Sequence, residues 1–257
     1  MMVVSVLHGG ACANQPSFAN DHVTIMILVT DSHVSYARGN VEPFFELLTT
    51  LGKTEQDIFF LGDILDLWIA LPRYEEDLHR EFADWCTRQK QKRTVGFVEG
   101  NHEFFLAEER GDCFSWCSAS PWKDGQGLVF LHGDRINRED RSYLCFRRMT
   151  RNRVVKSLLR HLPGGPALVQ VIKRGLNRAN RKKRRFLPEK IIKRYADARF
   201  AEGARTIISG HFHREYCYRG PRDQVIYLLP DWFATRKVGV YSPESGTLET
   251  IDEHALR

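Results

Sequence analysis

The stretch DIFFLGDILD, residues 57–66, sets the reading of the whole chain. Ile58 to Leu61 form a short apolar run of β character, Gly62 breaks it, and Asp63 and Asp66 follow where the strand must end. The same device recurs four times. TIMILVT (24–30) leads into Asp31-Ser32-His33, and TVGFVE (94–99) into Gly100-Asn101-His102-Glu103. LVFL (128–131) leads into His132-Gly133-Asp134, and TIIS (206–209) into Gly210-His211-Phe212-His213. Side chains at strand ends are held rigidly yet face a common rim, so five such ends can converge on one place.

Taken singly, each cluster has an ordinary explanation. Asp-x-His fits any exposed turn, Gly-Asp-x-x-Asp can cap the next helix, and a lone histidine is more often structural than a ligand. Jointly they differ: five of the ten histidines (33, 102, 132, 211 and 213) fall just after apolar runs. Carboxylates, an amide and imidazoles together suit Mn²⁺, Fe²⁺, Zn²⁺ or Co²⁺. Two such ions a few ångström apart are a device for displacement at phosphorus. The residues therefore point to a two-metal phosphoester hydrolase.

Around these clusters the chain reads as strand 23–30, helix 41–51, strand 57–61, helix 75–92, strand 94–99 and strand 128–131. A long basic stretch with helical periodicity (139–200) precedes strand 205–209 and three closing strands at 214–219, 224–229 and 237–242. Alternating strands and helices followed by a run of strands predict a layered α/β fold. The 257 residues suffice for one large core, and no run approaches the 18 apolar residues of a membrane span. The six cysteines show no C-x-x-C pair and fit a reduced cytoplasmic compartment. Residues 1–22 read as an arm outside the domain of residues 23–257. That arm lacks the basic start and the long apolar run of a secretory signal.

The net charge of +6 conceals an asymmetry. Arg135 to Arg199 hold 21 Lys/Arg against four acidic residues, whereas the remainder is net acidic. Apolar positions recur inside this block, including Tyr143, Phe146, Val154, Val155, Leu158 and Leu159, which implies amphipathic helices. Nucleic acid, an anionic membrane surface or a diphosphate-bearing substrate could each neutralise it; a solvated basic face is the plain alternative. No aromatic residues interleave the run Arg181 to Arg185, so a lipid-like ligand or membrane suits the apolar-basic pattern better than nucleic acid.

Together these motifs resemble the calcineurin-like metallophosphoesterase superfamily, and within it the UDP-2,3-diacylglucosamine pyrophosphohydrolases of lipid A synthesis. The likeness runs from Thr24 to Ile251. Its finer pointers are Asp66-Leu67-Trp68, the run Asp140-x-x-Tyr143-x-x-Phe146-Arg147, the basic insertion, and Asp231-Trp232. The resemblance implies an α-β-β-α sandwich with a helical basic cap over about 136–203. It implies two ions, Mn²⁺ foremost: one on Asp31, His33, Asp63 and His213, the other on Asp63, Asn101, His132 and His211, with Asp63 shared. A water activated by both ions would attack the UDP diphosphate, giving UMP and an acylated sugar 1-phosphate. It also implies a cytoplasmic enzyme peripheral on the inner face of the membrane, with the insertion holding acyl chains.

By position, His102 and Asn101 are expected to act in catalysis, and Asp66 and Asp134 to orient the histidines or their loops. Glu103 is expected to cap the following helix. Tyr143, Arg147, Asp140, Asn177 and Arg181 are expected substrate contacts, with core packing or surface charge as the plain alternative for Tyr143 and Arg147. Two departures stand out. The lipid A enzymes usually carry Arg where this chain has His102, and Asp-Leu-His-Leu where it has Asp31-Ser32-His33-Val34. In the wider superfamily a histidine there assists the leaving group. Hydrolysis of a soluble nucleotide or nucleic acid is therefore the alternative function. A scaffold without catalysis would be expected to lose ligands, and none is missing.

Overall fold

Period-two alternation in the short strands buries both of their faces. The computed structural model describes residues 25–161, 169 and 187–256. In β1 (Met26–Val29) and β2 (Asp57–Phe60), Ile27, Val29, Ile58 and Phe60 pack into one apolar cluster, and Met26, Leu28 and Phe59 into another. A strand buried on both faces reads as a continuous apolar run, which is why these runs carry no polar alternation.

Further strands are β3 (Trp68–Ile69), β4 (Val95–Val98), β5 (Glu103–Phe104), β6 (Trp116–Ser118), β7 (Trp122–Lys123) and β8 (Leu128–Leu131). They are followed by β9 (Thr206–Ser209), β10 (Tyr216–Arg219), β11 (Val225–Leu228), β12 (Lys237–Ser242) and β13 (Thr247–Asp252). One sheet runs β13-β12-β1-β2-β4-β6 and the second β10-β11-β9-β8-β7; β3 and β5 pair separately. β1, β2 and β4 are mutually parallel, as are β8 and β9. Phe59, Trp116, Trp122, Phe130, Ile208 and Tyr227 fill the space between the sheets.

Helices cover the outer faces. Val41, Phe44, Leu47, Leu48 and Leu51 form the buried stripe of α1 (Val41–Leu51), and Leu78, Phe82, Ala83, Trp85 and Cys86 that of α2 (Asp77–Gln89). Both stripes press on the first sheet. The short α3 (Leu106–Glu109) is followed by α4 (Arg141–Thr150) and α5 (Arg153–His161), whose Leu159 packs with Ile69, Leu71, Phe104 and Phe105. α6 (Glu189–Ala201) lays Ile192, Ala196 and Phe200 on the second sheet, and α7 (Trp232–Thr235) follows β11. The order is α-β-β-α.

Two expectations change here. The resemblance implied a cap extending to about residue 203, but α6 is the outer layer of the sandwich; its exposed face is basic while its buried face is apolar. Strands β3, β5, β6, β7 and β13 lie outside the expected set, because segments of two or three residues, or strands with mixed exposure, carry no clear period. Residues 1–22, Asn177 and Arg181 lie outside the described residues. Among the described residues no helix is long and apolar enough to cross a membrane.

Gly96 of β4 pairs with Trp116 of β6, and a Cβ on Gly96 would strike the Trp116 ring. Gly96→Ala should therefore cost about 1–3 kcal/mol through overpacking. Chemical denaturation is the measurement, and an unchanged midpoint would refute this account of the contact.

Candidate metal centre

All five ligand loops leave the C-terminal ends of parallel strands, the edge at which open α/β sheets present their sites. The β1–β2 ladder continues into the loops: Asp31 N donates to Gly62 O at 3.1 Å and His33 N to Asp63 O at 2.9 Å. Yet Asp31, His33, Asp63, His211 and His213 all have positive φ, a conformation that costs an L-residue roughly 1–2 kcal/mol. Such backbone persists only where surrounding contacts over-determine it, and it concentrates at functional sites.

Two glycines set the spacing. A Cβ on Gly62 would lie 2.6 Å from Gly100 N and 2.8 Å from His132 Nδ1, and one on Gly100 would strike the Asp63 carboxylate. The loops after β2 and β4 therefore cross backbone to backbone. Glu103 pins the crossing: Oε2 accepts from Asp63 N at 3.0 Å and Gly100 N at 2.7 Å, and Oε1 from Ile64 N at 3.0 Å. This corrects the expected helix-capping role of Glu103. Glu99 serves α3 instead, accepting from Ala107 N at 2.8 Å.

The crossing brings all seven expected ligands together. Donor atoms of Asp31, His33 and His213 lie within 4.8 Å of one another, as do those of Asp63, His132 and His211. Asp63 Oδ2 stands 3.9 Å from His33 Nε2, 3.7 Å from His102 Nε2 and 3.4 Å from His132 Nε2, so one carboxylate faces both sets. Asn101 Oδ1 lies 3.3 Å from His132 Nε2, and His211 Nδ1 lies 3.0 Å from the same nitrogen.

The donor set fits two divalent cations. Asp31 Oδ1 is buried with no hydrogen-bond partner while Oδ2 accepts from Thr30 Oγ1 at 2.8 Å and His211 N at 2.7 Å. That buried oxygen faces His213 Nε2 at 3.3 Å, and a cation held between the two would compensate its charge. His132 Nδ1–H donates to Leu61 O at 2.8 Å, which leaves Nε2 as the donor atom for a metal. His213 Nε2 lies 3.3 Å from Asp31 Oδ1 and its Nδ1 3.5 Å from Asp231 Oδ2, the carboxylate–histidine pairing that orients a metal ligand.

The buried charges of this cluster shift one another. Burial raises the Asp63 carboxyl, but His132, His102 and His33 outweigh it and hold the group well below its usual range. Burial depresses His132, yet Asp63 carries it up to about 10; His213 is likewise carried up to about 10, chiefly by Asp31. Burial and the neighbouring His102 push His33 down to about 3. Glu103 is pushed up to about 8 by burial and by Asp63. The carboxylates of Asp63 and Asp31 thus favour positive charge at His132 and His213.

The other expected site residues take different places. His102 is buried, its Nδ1–H donates to Asp66 O, and its ring meets His33 edge-on at 4.7 Å. Asp66 therefore positions His102 through its carbonyl, while its carboxylate accepts from Arg38 Nε at 3.0 Å and Nη2 at 2.8 Å. Asp134 pairs with Arg147 Nη1 at 2.8 Å and accepts from the Tyr143 hydroxyl; burial, outweighed by Arg147 and His132, leaves its carboxyl low. Tyr143 and Arg147 are buried in this network, so the packing alternative describes them better than substrate contact. Asp140 is the N-cap of α4, accepting from Tyr143 N at 3.0 Å. Thr30, Glu103, Arg151 and Asp231 hold ligands or ligand loops and were missed as site residues. Glu103 carried a signal, a carboxylate followed at once by Phe104-Phe105-Leu106, and Asp231 stood in the Asp231-Trp232 pointer.

Comparison with known proteins adds the following. Residues 26–215 match the family model described as calcineurin-like phosphoesterase. A UDP-2,3-diacylglucosamine hydrolase of Pseudomonas fluorescens is 26% identical over 232 residues, covering 81% of this chain and 87% of that protein. One of Shewanella loihica is 24% identical over 232 residues, covering 88% and 96%. Among solved structures, a dimetal phosphatase from Danio rerio aligns over 91% of this chain and 100% of that one, at 13% identity and a TM-score of 0.41.

Cation binding must displace protons from His132 and His213, whereas His33 is already neutral at pH 7.5. Titration of the metal-free protein with Mn²⁺ should release protons at that pH, and affinity should fall as the pH drops. Calorimetry in buffers of differing ionisation enthalpy measures the release. No buffer dependence would contradict the protonated state of the two imidazoles.

Proposed function

The chain belongs to the calcineurin-like phosphoesterase family and is a metal-dependent phosphoester hydrolase; from that premise we propose that it cleaves the diphosphate of a UDP-linked acylated sugar. The observation that carries the hydrolytic chemistry is the single carboxylate, Asp63, facing two donor sets. The substrate is supported by relatives named UDP-2,3-diacylglucosamine hydrolase, which align along most of both chains. The products would be UMP and an acylated sugar 1-phosphate, with the oxygen of water joined to the uridylyl phosphorus and the P–O bond to the sugar phosphate broken.

Asp31, His33, Asp63 and His213 would hold one ion, and Asp63, Asn101, His132 and His211 the other. Mn²⁺ is the proposed occupant, since the set mixes carboxylate and amide oxygens with imidazoles. Two such ions lower the pKa of an attacking water and neutralise charge growing on the phosphoryl oxygens. The remaining chemistry belongs to the chain. The Asp66 carbonyl fixes the Nδ1–H tautomer of His102, turning Nε2 toward Asp63 and the reacting phosphate. From that position His102 Nε2 would contact a phosphoryl oxygen or the departing oxygen. The loop crossing at Gly62 and Gly100 holds Asp63 in place, so no reorganisation is needed when substrate arrives.

A lipid substrate also suits the outer face of α4 and α5. Met149, Val154 and Leu158 are exposed, with the exposed Arg148 and Arg153 next to them in the sequence. We propose that this face rests on an anionic bilayer, at the inner surface of the cytoplasmic membrane, where the substrate would reside. A second reading, hydrolysis of a soluble nucleotide or nucleic acid diester, is favoured by His102 in the place where the lipid A enzymes usually carry Arg.

Product analysis with Mn²⁺-loaded protein and UDP-2,3-diacylglucosamine, alongside bis-p-nitrophenyl phosphate, separates these. UMP release is expected, abolished by Asp63→Ala together with metal content. His102→Ala should lower kcat about 10²–10⁴-fold with both ions retained. Turnover of the diester alone would discard the lipid substrate. In vesicle flotation, paired Val154→Ser and Leu158→Ser changes should weaken association with phosphatidylglycerol bilayers. Undiminished flotation would remove this face from the membrane reading.

A further inference from the structure

Two arginines from the basic insertion meet at one carbonyl of a ligand loop. Arg151 Nη2 donates to Gly100 O at 2.8 Å and to Glu103 O at 2.6 Å, and its Nε donates to Glu103 O at 3.1 Å. Its guanidinium lies 4.4 Å over the Phe104 ring. Arg147, one helical turn earlier, donates from Nη1 to the same Gly100 O at 3.3 Å while paired with Asp134 at 2.8 Å. On the other side, Glu103 Oε2 accepts from Gly100 N at 2.7 Å. The Gly100 residue is thus gripped at its N–H by a carboxylate and at its C=O by two guanidinium groups.

That grip answers a weakness built into the loop. Gly100 must lack a Cβ because the Asp63 carboxylate occupies the space, and a glycine leaves φ and ψ soft immediately before Asn101 and His102. We infer that Arg151, supported by Arg147, is a positioning residue for the metal centre: by fixing the Gly100–Asn101 peptide it aims Asn101 Oδ1 at the His132 side and stands His102 against Asp63. The inference rests on the two-metal reading above, with Asn101 as a ligand of one ion. It makes the start of the insertion a structural part of the centre. A planar guanidinium can chelate two carbonyls and stack on a ring at once, whereas an ammonium of the same charge cannot. Lysine is therefore not a conservative exchange at this position.

The test compares Arg151→Lys and Arg151→Met with the wild-type protein and with Arg88→Lys, an exposed control on α2. Mn²⁺ stoichiometry and affinity are read by calorimetry, and the pairing of the ions by the exchange-coupled Mn²⁺ resonance signal. Both Arg151 variants should bind the ion of the Asn101 set about 10–100-fold more weakly, with the Asp31 set unchanged and the coupled signal lost at low Mn²⁺. Turnover of bis-p-nitrophenyl phosphate should fall at limiting Mn²⁺ and recover at high Mn²⁺, which a substrate contact would not do. If Arg151→Met does not fold, as judged by circular dichroism, Arg151→Lys decides, since it keeps the charge and the stem. Wild-type affinity for both ions in the folded variants, with only the KM for the UDP-linked substrate raised, would overturn the inference and make Arg151 a substrate contact. A wild-type protein that binds fewer than two ions would overturn both this inference and the two-metal reading. Absence of UMP release alone would overturn only the proposed substrate.

Discussion

One carboxylate shared between two donor sets is the constraint on which the structure turns. Asp63 Oδ2 faces His33, His102 and His132 together, while Asp63 Oδ1 accepts from His102 N at 2.9 Å. A buried anion can stand among imidazoles only where positive charge compensates it, whether protons or cations. Its location therefore dictates the histidines around it, the glycines beneath it and the backbone that presents it. Placing it at the end of β2, centrally between β1 and β4 in the first sheet, lets loops from both neighbours and from the second sheet reach it.

Such a centre works against stability in several ways. Left-handed backbone at five ligands, carboxylates taken out of water and two glycines at a backbone crossing are all unfavourable locally. The sandwich offsets these costs by fixing the strands rigidly. Strands one and two continue hydrogen bonding into the strained loops, and Glu103 closes the crossing with three backbone donors. A carboxylate that accepts three buried N–H groups serves as a structural cross-link between segments 40 residues apart. Preorganisation of this kind is what displacement at phosphorus requires, since the charge arises too briefly for the protein to rearrange around it.

The basic insertion shows how charge by itself misleads. Its excess of cations suggests a partner surface, and Arg148, Arg153, Val154 and Leu158 lie on its exposed face. The inward cations behave differently. Arg147 and Arg151 are withdrawn from solvent and engage carbonyls and Asp134, and α6 turns its apolar stripe onto the second sheet. Exposure, which no charge count contains, separates solvated cations from a structural brace.

The metal-ligand types, their placement after strands and the layered α/β plan were legible in the amino-acid sequence, because each is local: an apolar run ends, and a donor follows. Strand β2 and the stretch 62–66 were read nearly residue by residue for that reason. The sharing of Asp63 followed from the family resemblance alone, while the role of Glu103 as a staple and the turning of Tyr143 and Arg147 toward Asp134 were not legible. These depend on register between distant segments, as when His211 N meets Asp31 Oδ2 across 180 residues. The sequence by itself thus determined the chemistry available to this protein. Only the tertiary structure decided which groups meet, because pairings between distant segments are set by how sheets and helices pack, and a motif records only its own neighbours.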